Sequence, residues 1–421
     1  MTDTDVAHQP TVTPQTTSDG IVMEIMITPE GRADPYTRYA RLREMAPVHR
    51  SDLGPLWFLT RYDDCNQVLR DHRFGKGDFG ERSEVMGIFS PAMPDRQRTV
   101  MVDSMLMRNP PDHTRLRALV SRGFTPRRID ALRSGIEAMT DAILDKIEQQ
   151  GEVDVMDALA FRLPVRVIGE LVGVPAQDQD QFRNSVRQGA AAMDPGTTPE
   201  QVEAAQDAME EMADYFRDLI ERRRRVPRDD LTSALIAARD GEDRLSEDEL
   251  IATLLLLFAA GFETTSNLIG NGLYTLLATG QLPYLRRQPD LIAAAVEEVL
   301  RYESPVQLDA RTAFEPIVLG GHQIEEGDTV VTFLGAANRD PAQFPDPETF
   351  DPGRDDNYPL SFAAGIHYCL GANLARAEGH VVFERMLARF GRIELLEDDP
   401  PWRGTLILRG LDHLHTRFAV N

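Results

Sequence analysis

Apolar residues recur mainly at helical spacing along this chain, and proline and glycine interrupt the pattern from about Pro126 onward. The most apolar run extends from Leu250 to Phe262. Ser246 and Glu249 precede it at the spacing of a capping box, and the run is apolar nearly all round, so we expect a buried helix. Short runs rich in β-branched or aromatic residues favour strands at 56–60, 317–319 and 329–333. The pattern predicts a mainly α protein with small β-sheets.

The N-terminal segment differs from the rest of the chain. Residues 1–20 are polar and threonine-rich, without the apolar core of a signal peptide, and we expect them to form a disordered leader. No linker or repeat divides the remaining sequence, so residues 21–421 are predicted to form a single domain. The run from Leu250 to Phe262 is shorter than the roughly 18 apolar residues that a membrane span requires. We therefore expect a soluble, cytoplasmic protein without membrane attachment.

Composition narrows the function classes. The 45 basic and 68 acidic residues give a net charge of −23, which argues against nucleic-acid binding because that requires a broad basic surface. The 2 cysteines, Cys65 and Cys369, argue against a disulfide framework and for a reducing compartment. Cys65 is most simply a small buried apolar residue.

Candidate chemistry concentrates around the other cysteine. Cys369 lies in the run FAAGIHYCLG, residues 362–371, directly before a helix-forming segment that begins at Ala372. Backbone N–H groups and the helix dipole stabilise a thiolate near a helix N-terminus, so we expect the pKa of Cys369 to be depressed. Such a cysteine is suited to bind a metal or to act as a nucleophile.

The same run resembles the haem-ligand loop of the cytochrome P450 family, F-x-x-G-x-H-x-C-x-G, and matches every fixed position of that pattern. The resemblance extends from about residue 30 to the C-terminus. It implies the cytochrome P450 fold, a triangular prism of helices around a buried haem b, with Cys369 as the ligand of the haem iron. Phe362, His367 and Gly371 would belong to the cofactor loop. The pair Ala363–Ala364 stands where many relatives have glycine, and we expect little consequence because alanine suits any backbone of negative φ.

A second motif, Ala260–Thr265, interrupts the apolar helix with a glycine and a carboxylate. Both cost stability in a buried helix, and such local conflicts are expected at functional sites. The segment is similar to the family motif A/G-G-x-D/E-T-T. That resemblance implies that Gly261 leaves room for dioxygen, that Thr264 hydrogen-bonds the bound oxygen, and that Glu263 relays protons from solvent. The alternative is that Thr264 and Thr265 are ordinary helix residues bonded to the carbonyls four positions earlier.

A Glu–Arg pair precedes the cysteine loop. Glu298 and Arg301 lie at i, i+3 spacing on a predicted helix, which by itself indicates only a surface ion pair. Their position ahead of Arg354 and the cysteine loop resembles the buried Glu–Arg–Arg triad of the family. The resemblance implies a structural, non-catalytic role for these three residues.

Haem carries two propionates, and a protein that buries them needs arginine or histidine partners. The resemblance supplies candidates in the family order, and these are His113, Arg117, Arg311 and His367. His113 and Arg117 are four residues apart and share one helix face. Asp309 could pair with Arg311 or point into the substrate pocket, and we favour the pairing.

An arginine-rich segment bears on the electron donor. Residues 108–128 hold six arginines, and Asp112 is the acidic residue among them. A solvated helix face is the usual explanation, but in so acidic a chain the segment also predicts a positive patch that steers an acidic partner. In the family this helix lies on the cysteine side of the haem, which implies a ferredoxin partner with its ferredoxin reductase. No flavin or nicotinamide module occurs in the sequence, so electrons would arrive from outside.

The resemblance also implies a mainly apolar substrate pocket. Five methionines cluster between residues 86 and 107; they could fill the core or form an adaptable ligand wall, and the family position favours the wall. The segment Asp194–Pro199 resembles the loop that opens substrate access. The residues assigned to the pocket by family position are Met86, Met105, Leu256, Ala260, Val306, Leu308 and Leu408.

We therefore predict a haem–thiolate monooxygenase of the bacterial type. It would insert one oxygen atom of O2 into a hydrophobic small molecule by hydroxylation or epoxidation, in secondary metabolism or catabolism. Three alternatives stay open: a peroxide-driven peroxygenase, an enzyme that couples aromatic rings oxidatively, and a non-catalytic haem-binding ligand sensor. Glu263 and Thr264 argue against the peroxygenase, because peroxide brings its own protons.

Overall fold

The computed structural model describes residues 17–52, 54–77, 104–191, 194, 197–238 and 244–420. About 58% of the chain is helical and the sheets are small, which confirms the predicted fold class. The helices are α1 (Ser18–Ile27), α2 (Pro29–Ala33), α3 (Pro35–Met45), α4 (Tyr62–Arg70), α5 (Asp112–Ser121), α6 (Pro126–Gln150), α7 (Arg162–Val172), α8 (Ala176–Gln179), α9 (Phe182–Ala191), α10 (Pro199–Arg225), α11 (Leu231–Ala237), α12 (Glu247–Ala278), α13 (Leu282–Arg287), α14 (Ile292–Tyr302), α15 (Leu334–Ala337) and α16 (Ala372–Arg389).

Short strands form three sheets in this part of the chain. The largest has the order β1-β2-β8-β5-β3, in which β2 and β8 run parallel and the other neighbours are antiparallel. A second sheet has the order β4-β10-β9, and β6 and β7 form a hairpin. The strands are β1 (Val48–Arg50), β2 (Leu56–Leu59), β3 (Phe74–Gly75), β4 (Glu152–Asp154), β5 (Leu308–Ala313), β6 (Ile317–Leu319), β7 (His322–Ile324), β8 (Thr329–Phe333), β9 (Phe390–Leu395) and β10 (His415–Val420).

The 32-residue helix α12 runs through the helical core. Its first turn carries the predicted capping box, in which the Ser246 hydroxyl accepts from the N–H of Glu249 and the Glu249 carboxylate accepts from the N–H of Ser246. One 18-residue window has a mean hydropathy of 1.3, so length and composition alone would allow α12 to cross a membrane. However, 67% of that window is buried inside the fold, as expected for a core helix.

Helix α1 overlaps the C-terminal end of the predicted leader. Helix α1 starts at Ser18, where the Thr17 side chain accepts from the N–H of Gly20, so the predicted leader of 1–20 extends too far at its C-terminal end. Helix α3 starts at Pro35 and is capped by Asp34.

The segment that contains Cys369 joins two hydrophobic cores. Leu360 and Ala364 are buried in the core beneath the five-stranded sheet, where Cys65 also lies. Phe362 and Leu370 pack instead against the large helical core that contains most of α12. The cysteine is therefore held between the sheet and the helices, and Cys65 is a buried apolar residue as predicted.

Candidate active site

The cysteine loop is closed by its own backbone. Cys369 lies between a 3₁₀ turn and the N-terminus of α16, and its N–H donates to the carbonyl of Phe362 at 3.0 Å. Gly365 has a φ of 70°, and a Cβ at this position would lie 2.2 Å from the carbonyl oxygen of Leu69. Glycine therefore allows the loop to pack directly on the end of α4.

Ala363 is a point where the sequence-based expectation is wrong. Its φ is 54° and its ψ is −160°, in a region that is essentially restricted to glycine. Ala364 is extended, with a φ of −149°, and alanine fits there without strain. The turn forces Ala363 into positive φ, which costs on the order of 1–3 kcal/mol that glycine would avoid.

The protonation state of Cys369 also differs from the prediction. The backbone N–H groups of Gly371 and Ala372 favour the thiolate, as do the more distant charges of Arg117 and Arg376. Burial has the larger effect and raises the pKa of the Cys369 thiol above its ordinary value. The predicted depression is therefore wrong for the polypeptide alone. A metal ion bound to the sulfur would supply positive charge that favours the thiolate.

Two histidines and an arginine leave buried donors without partners near this loop. The rings of His113 and His367 lie 4.3 Å apart between centroids, and Arg311 acts electrostatically on both. His113 Nε2, His367 Nε2 and Arg311 Nη2 are buried and have no hydrogen-bond partner among the described residues. Burial lowers the pKa of both imidazoles, and together with Arg311 it lowers that of His367 to about 3. The lowered pKa values favour the neutral form of both imidazoles in the polypeptide alone. Three buried nitrogens without partners, one of them on a guanidinium, together indicate a site for an anionic ligand.

Sequence reasoning missed Lys76, which joins the same cluster. Lys76 Nζ lies 2.6 Å from one carboxylate oxygen of Asp309, and Arg311 Nη1 lies 2.6 Å from the other. Burial alone would raise the pKa of Asp309, but the charges of Lys76 and Arg311 hold it well below its usual range. Asp309 thus pairs with Arg311, and it neutralises only one of two buried cations.

Arg117 approaches the cysteine loop from another direction. Its Nη2 donates to the carbonyl oxygen of Tyr368 at 2.7 Å, which ties α5 to the residue before Cys369. Burial lowers the pKa of Arg117, while the nearby cysteine opposes that shift. Helix α5, which was predicted to hold a propionate, therefore places His113 beside His367 and Arg311 and places Arg117 against the backbone of the cysteine loop.

The Glu298, Arg301 and Arg354 side chains meet in the interior. Glu298 Oε1 lies 2.7 Å from Arg301 Nη2 and 3.3 Å from Arg354 Nε, and the side chains of Glu298 and Arg301 are both 0% exposed. The remaining N–H groups of Arg301 donate to backbone carbonyls, which belong to Asn338, Pro347 and Thr349. These bonds fix the irregular segment that precedes the cysteine loop.

Helix α12 is open along one strip in its middle. Leu256, Ala260 and Thr264 are spaced four residues apart and are partly or fully exposed, whereas Phe258 and Phe262 are buried. The Thr264 hydroxyl donates to the carbonyl of Ala260 at 2.9 Å, in the manner of an ordinary helix threonine. Its oxygen still has acceptor capacity toward the open strip.

Glu263, beside Thr264, is buried and held by a cation. Its carboxylate forms an ion pair with Arg403, whose Nη1 also lies 3.4 Å from Asn267 Oδ1. The second carboxylate oxygen of Glu263 is buried without a partner in the described structure. Arg403 could not be found from the sequence, because 140 residues separate it from Glu263.

Glu378 is a second buried acid that the sequence did not reveal. It lies on α16, which packs against α12, and burial raises its pKa well above the usual value. Its Oε2 is buried and unpaired among the described residues. Burial therefore favours the protonated, neutral form of Glu378.

Gly261 serves a different purpose from the one predicted. A Cβ at this position would lie 2.9 Å from the side chain of Ile168 on α7. The missing side chain thus faces a neighbouring helix, and glycine allows α7 and α12 to approach closely. Ala260 is the residue of the motif that faces the open strip.

The predicted pocket residues fall into different environments. Val306 and Leu408 form an isolated β-bridge and are half-buried, and Leu308 is buried on β5. Met105 is buried in the helical core with Leu116 and Val120, which favours the core-filling alternative for that residue. Met86 lies outside the described residues.

Gly371 is the last residue of the cysteine loop and directly precedes α16. A Cβ added to Gly371 would meet no atom of the described residues within 4 Å, so this backbone leaves room for a close neighbour. The thiol of Cys369, the unpaired donors and the open strip of α12 together fit a planar iron cofactor with two carboxylates, which is the chemistry of haem b. Cys369 would hold the iron, and His113, His367 and Arg311 would hold the propionates.

Comparisons with known proteins agree with this chemistry. The family model for cytochrome P450 matches residues 52–283 and 281–405. The polyketide biosynthesis cytochrome P450 PksS of Bacillus subtilis is 41% identical over 406 residues, which cover 93% of this chain and 98% of PksS. The 6-deoxyerythronolide B hydroxylase of Saccharopolyspora erythraea is 42% identical over 393 residues, which cover 91% of this chain and 96% of the relative.

A solved structure shows the same architecture. P450BioI, in complex with an acyl carrier protein ligated to hexadec-9Z-enoic acid, has a TM-score of 0.86 at 34% identity and covers 93% of this chain and 99% of its own. The chain therefore belongs to the cytochrome P450 family and is a monooxygenase with haem b as its cofactor.

Proposed function

We propose that this monooxygenase hydroxylates or epoxidises a large, mainly apolar molecule of the polyketide type in the cytoplasm, with electrons from a ferredoxin and its reductase. The observation that carries the proposal is the open strip of α12, where Leu256, Ala260 and Thr264 interrupt a buried helix next to the acid Glu263. An apolar surface beside a proton source is what oxygen insertion requires, whereas a ligand sensor needs only the surface.

Cys369 and the anchoring residues prepare the reaction. When bound, haem supplies an iron that binds and reduces dioxygen, assisted by electron density from its thiolate ligand. The N–H groups of Gly371 and Ala372 hold the sulfur of Cys369 at the start of α16. His113 and His367 have buried nitrogens without partners among the described residues, and these would hydrogen-bond the carboxylates and orient the cofactor.

Glu263 and Thr264 are the residues that move protons in this proposal. The Thr264 hydroxyl can rotate from the carbonyl of Ala260 toward the strip and donate there. Glu263 is adjacent in sequence and only 4% exposed, so it can carry a proton between solvent and the interior when it leaves Arg403. Arg403 thereby controls how readily the Glu263 carboxylate can take up and pass on a proton.

The substrate class rests on the relatives and on the pocket lining. PksS is named for polyketide biosynthesis, and the other relative is named as a hydroxylase of 6-deoxyerythronolide B. The half-buried Leu256, Val306 and Leu408 offer apolar contacts without a fixed charge. Such a lining suits a large molecule with few polar groups.

The face near Cys369 is the proposed docking surface for ferredoxin. Ile366 and Tyr368 are 49% and 40% exposed, and beside them lie Arg117 and Arg376, the second of which is paired with Glu297. Exposed apolar residues next to cations suit a small acidic protein. The patch is narrower than residues 108–128 suggested, because Arg115 pairs with Glu249 and Arg128 with Asp229.

Turnover with defined partners tests the proposal. Purified holoprotein is first screened with polyketides, steroids, fatty acids and aromatic compounds by the spin-state shift of the haem. Compounds that bind are then incubated with NADH, ferredoxin reductase and ferredoxin under ¹⁸O2, and products are analysed by mass spectrometry. The proposal predicts one labelled oxygen atom in a polyketide-type product.

The same experiment separates the alternatives. Product with peroxide but none with the ferredoxin system would indicate a peroxygenase, and a coupled product without added oxygen would indicate aromatic coupling. Spin-state shifts without any turnover would indicate a ligand sensor. Labelled product from steroids or fatty acids alone would contradict the polyketide assignment and leave the reaction type intact.

A further inference from the structure

A cluster of histidines and acids lies at the neck of the C-terminal loop, defined here as residues 398–412. Glu397 follows β9 and immediately precedes this loop, His413 immediately follows the loop, and His415 begins β10. One ligand atom from each of these three side chains lies within 4.8 Å of the others. None of the three belongs to the haem site described above.

The distances suit a tetrahedral metal ion. His413 Nε2 lies 3.3 Å from Glu397 Oε2, and two ligands about 2.1 Å from a tetrahedral ion are about 3.3–3.4 Å apart. The rings of His413 and His415 are 4.8 Å apart between centroids. His415 is exposed, so a change of rotamer brings its ring to the third position while water fills the fourth.

Neighbouring groups orient the ligands. Asp412 Oδ2 lies 3.5 Å from His413 Nδ1, which places a carboxylate against the nitrogen that would not bind the metal. Such a carboxylate holds the ring tautomer that presents Nε2 as a lone pair. The N–H of His415 donates to Glu397 Oε1 at 3.3 Å, and this bond leaves Oε2 directed at His413.

The backbone beneath the cluster is fixed. Leu414, between the two histidines, is fully buried, and its N–H donates to the Asp154 carboxylate at 2.9 Å. Because side chains alternate along an extended chain, burial of Leu414 directs His413 and His415 together to the opposite face. The N–H of Leu396 donates to the carbonyl of His415 at 2.9 Å and joins the two sides of the neck.

We propose that Glu397, His413 and His415 bind a divalent transition-metal ion of the zinc class and that this ion clips the neck of the C-terminal loop. Imidazole and carboxylate together favour zinc over calcium or magnesium, which prefer oxygen ligands. The loop carries Arg403, which holds Glu263, and Leu408, which pairs with Val306. A metal at the neck therefore restrains the segment that reaches the active site.

Zinc binding to the holoprotein is the first test. Zn²⁺ is titrated in competition with a chromophoric chelator against the wild type and the variants His413→Ala, His415→Ala and Glu397→Gln. We expect one site in the wild type, weakened at least about tenfold in each variant. His72→Ala is the matched control, because its side chain is 96% exposed and remote in sequence, and it should bind zinc like the wild type.

Hydrogen exchange is the second test and examines the clip. With zinc bound, the backbone amides of the loop should exchange several-fold more slowly, including that of Arg403, which donates to the carbonyl of Gly410. Absence of zinc binding at about 100 µM, or equal binding by all variants, overturns the site. Binding that leaves exchange in residues 398–412 unchanged overturns the clip. Neither measurement depends on catalytic turnover.

Discussion

Replacing Asp309 with asparagine tests whether the buried cations beside the cysteine loop depend on one carboxylate. Asp309 lies 2.6 Å from both Lys76 and Arg311, whose side chains are only 9% and 2% exposed. At an effective dielectric constant of about 20, each contact contributes roughly 6 kcal/mol of attraction before desolvation is subtracted. Removing the shared partner of buried charges leaves a net cost of about 3–5 kcal/mol.

Urea denaturation of the holoprotein at pH 7, followed by circular dichroism, measures this cost. We expect Asp309→Asn to lower the free energy of unfolding by about 3–5 kcal/mol. The double variant Lys76→Met, Asp309→Asn should recover about 1–2 kcal/mol, because the uncompensated ammonium is gone. Asp71→Asn is the control: its partner Arg73 is 36% exposed, and the expected loss is below about 1 kcal/mol.

The pH dependence supplies an independent check on Asp309. Its pKa is held below the value of the unfolded chain, so its contribution to stability is complete above about pH 5 and is lost as the pH falls further. The stability difference between wild type and Asp309→Asn should be constant from neutral pH to about pH 5 and shrink at lower pH. A variant no less stable than Asp71→Asn would refute the buried charge cluster.

The remaining predictions concern the scaffold, the loop and the proton path. Glu298→Gln should lower the free energy of unfolding in urea by about 3–5 kcal/mol and reduce the haem content. Glu297→Gln is the control at a partly exposed ion pair and should lower it by less than about 1 kcal/mol. Equal losses would contradict a buried triad. Ala363→Gly should raise the free energy of unfolding by about 1 kcal/mol, because glycine adopts positive φ without strain. A lower free energy of unfolding in this variant would contradict backbone strain at Ala363. Thr264→Ala should lower the fraction of NADH converted to product by about tenfold or more and leave substrate binding unchanged. Thr265→Ala is the control and should not lower this fraction, because the Thr265 hydroxyl donates to the carbonyl of Gly261. Equal effects of the two variants would contradict the proton role of Thr264.

Local sequence patterns predicted the features that depend on neighbouring residues. The capping box at Ser246 and Glu249 is visible because its partners are three positions apart. The cysteine loop is visible because ten consecutive residues carry it, and its closure by Cys369 and Phe362 spans seven positions. The mainly helical fold follows from apolar periodicity for the same reason.

Features that depend on tertiary packing could not be predicted from the sequence. Lys76 and Asp309 are 233 residues apart, and no periodicity links them. The pKa of Cys369 was predicted in the wrong direction, because the helix N-terminus can be read from the sequence but the burial that outweighs it cannot. Gly261 was assigned to the oxygen site because its motif is recognisable, although only the fold shows that it faces Ile168.

Ligation of the iron by Cys369 is the central claim, and one spectrum tests it directly. Carbon monoxide added to the reduced holoprotein should give the strongly red-shifted Soret band of a thiolate-ligated haem. Cys369→Ser should abolish this band, whereas Cys65→Ala, at the other cysteine, should retain it. A wild-type spectrum without the red shift, or a Cys369→Ser spectrum that keeps it, would contradict the account.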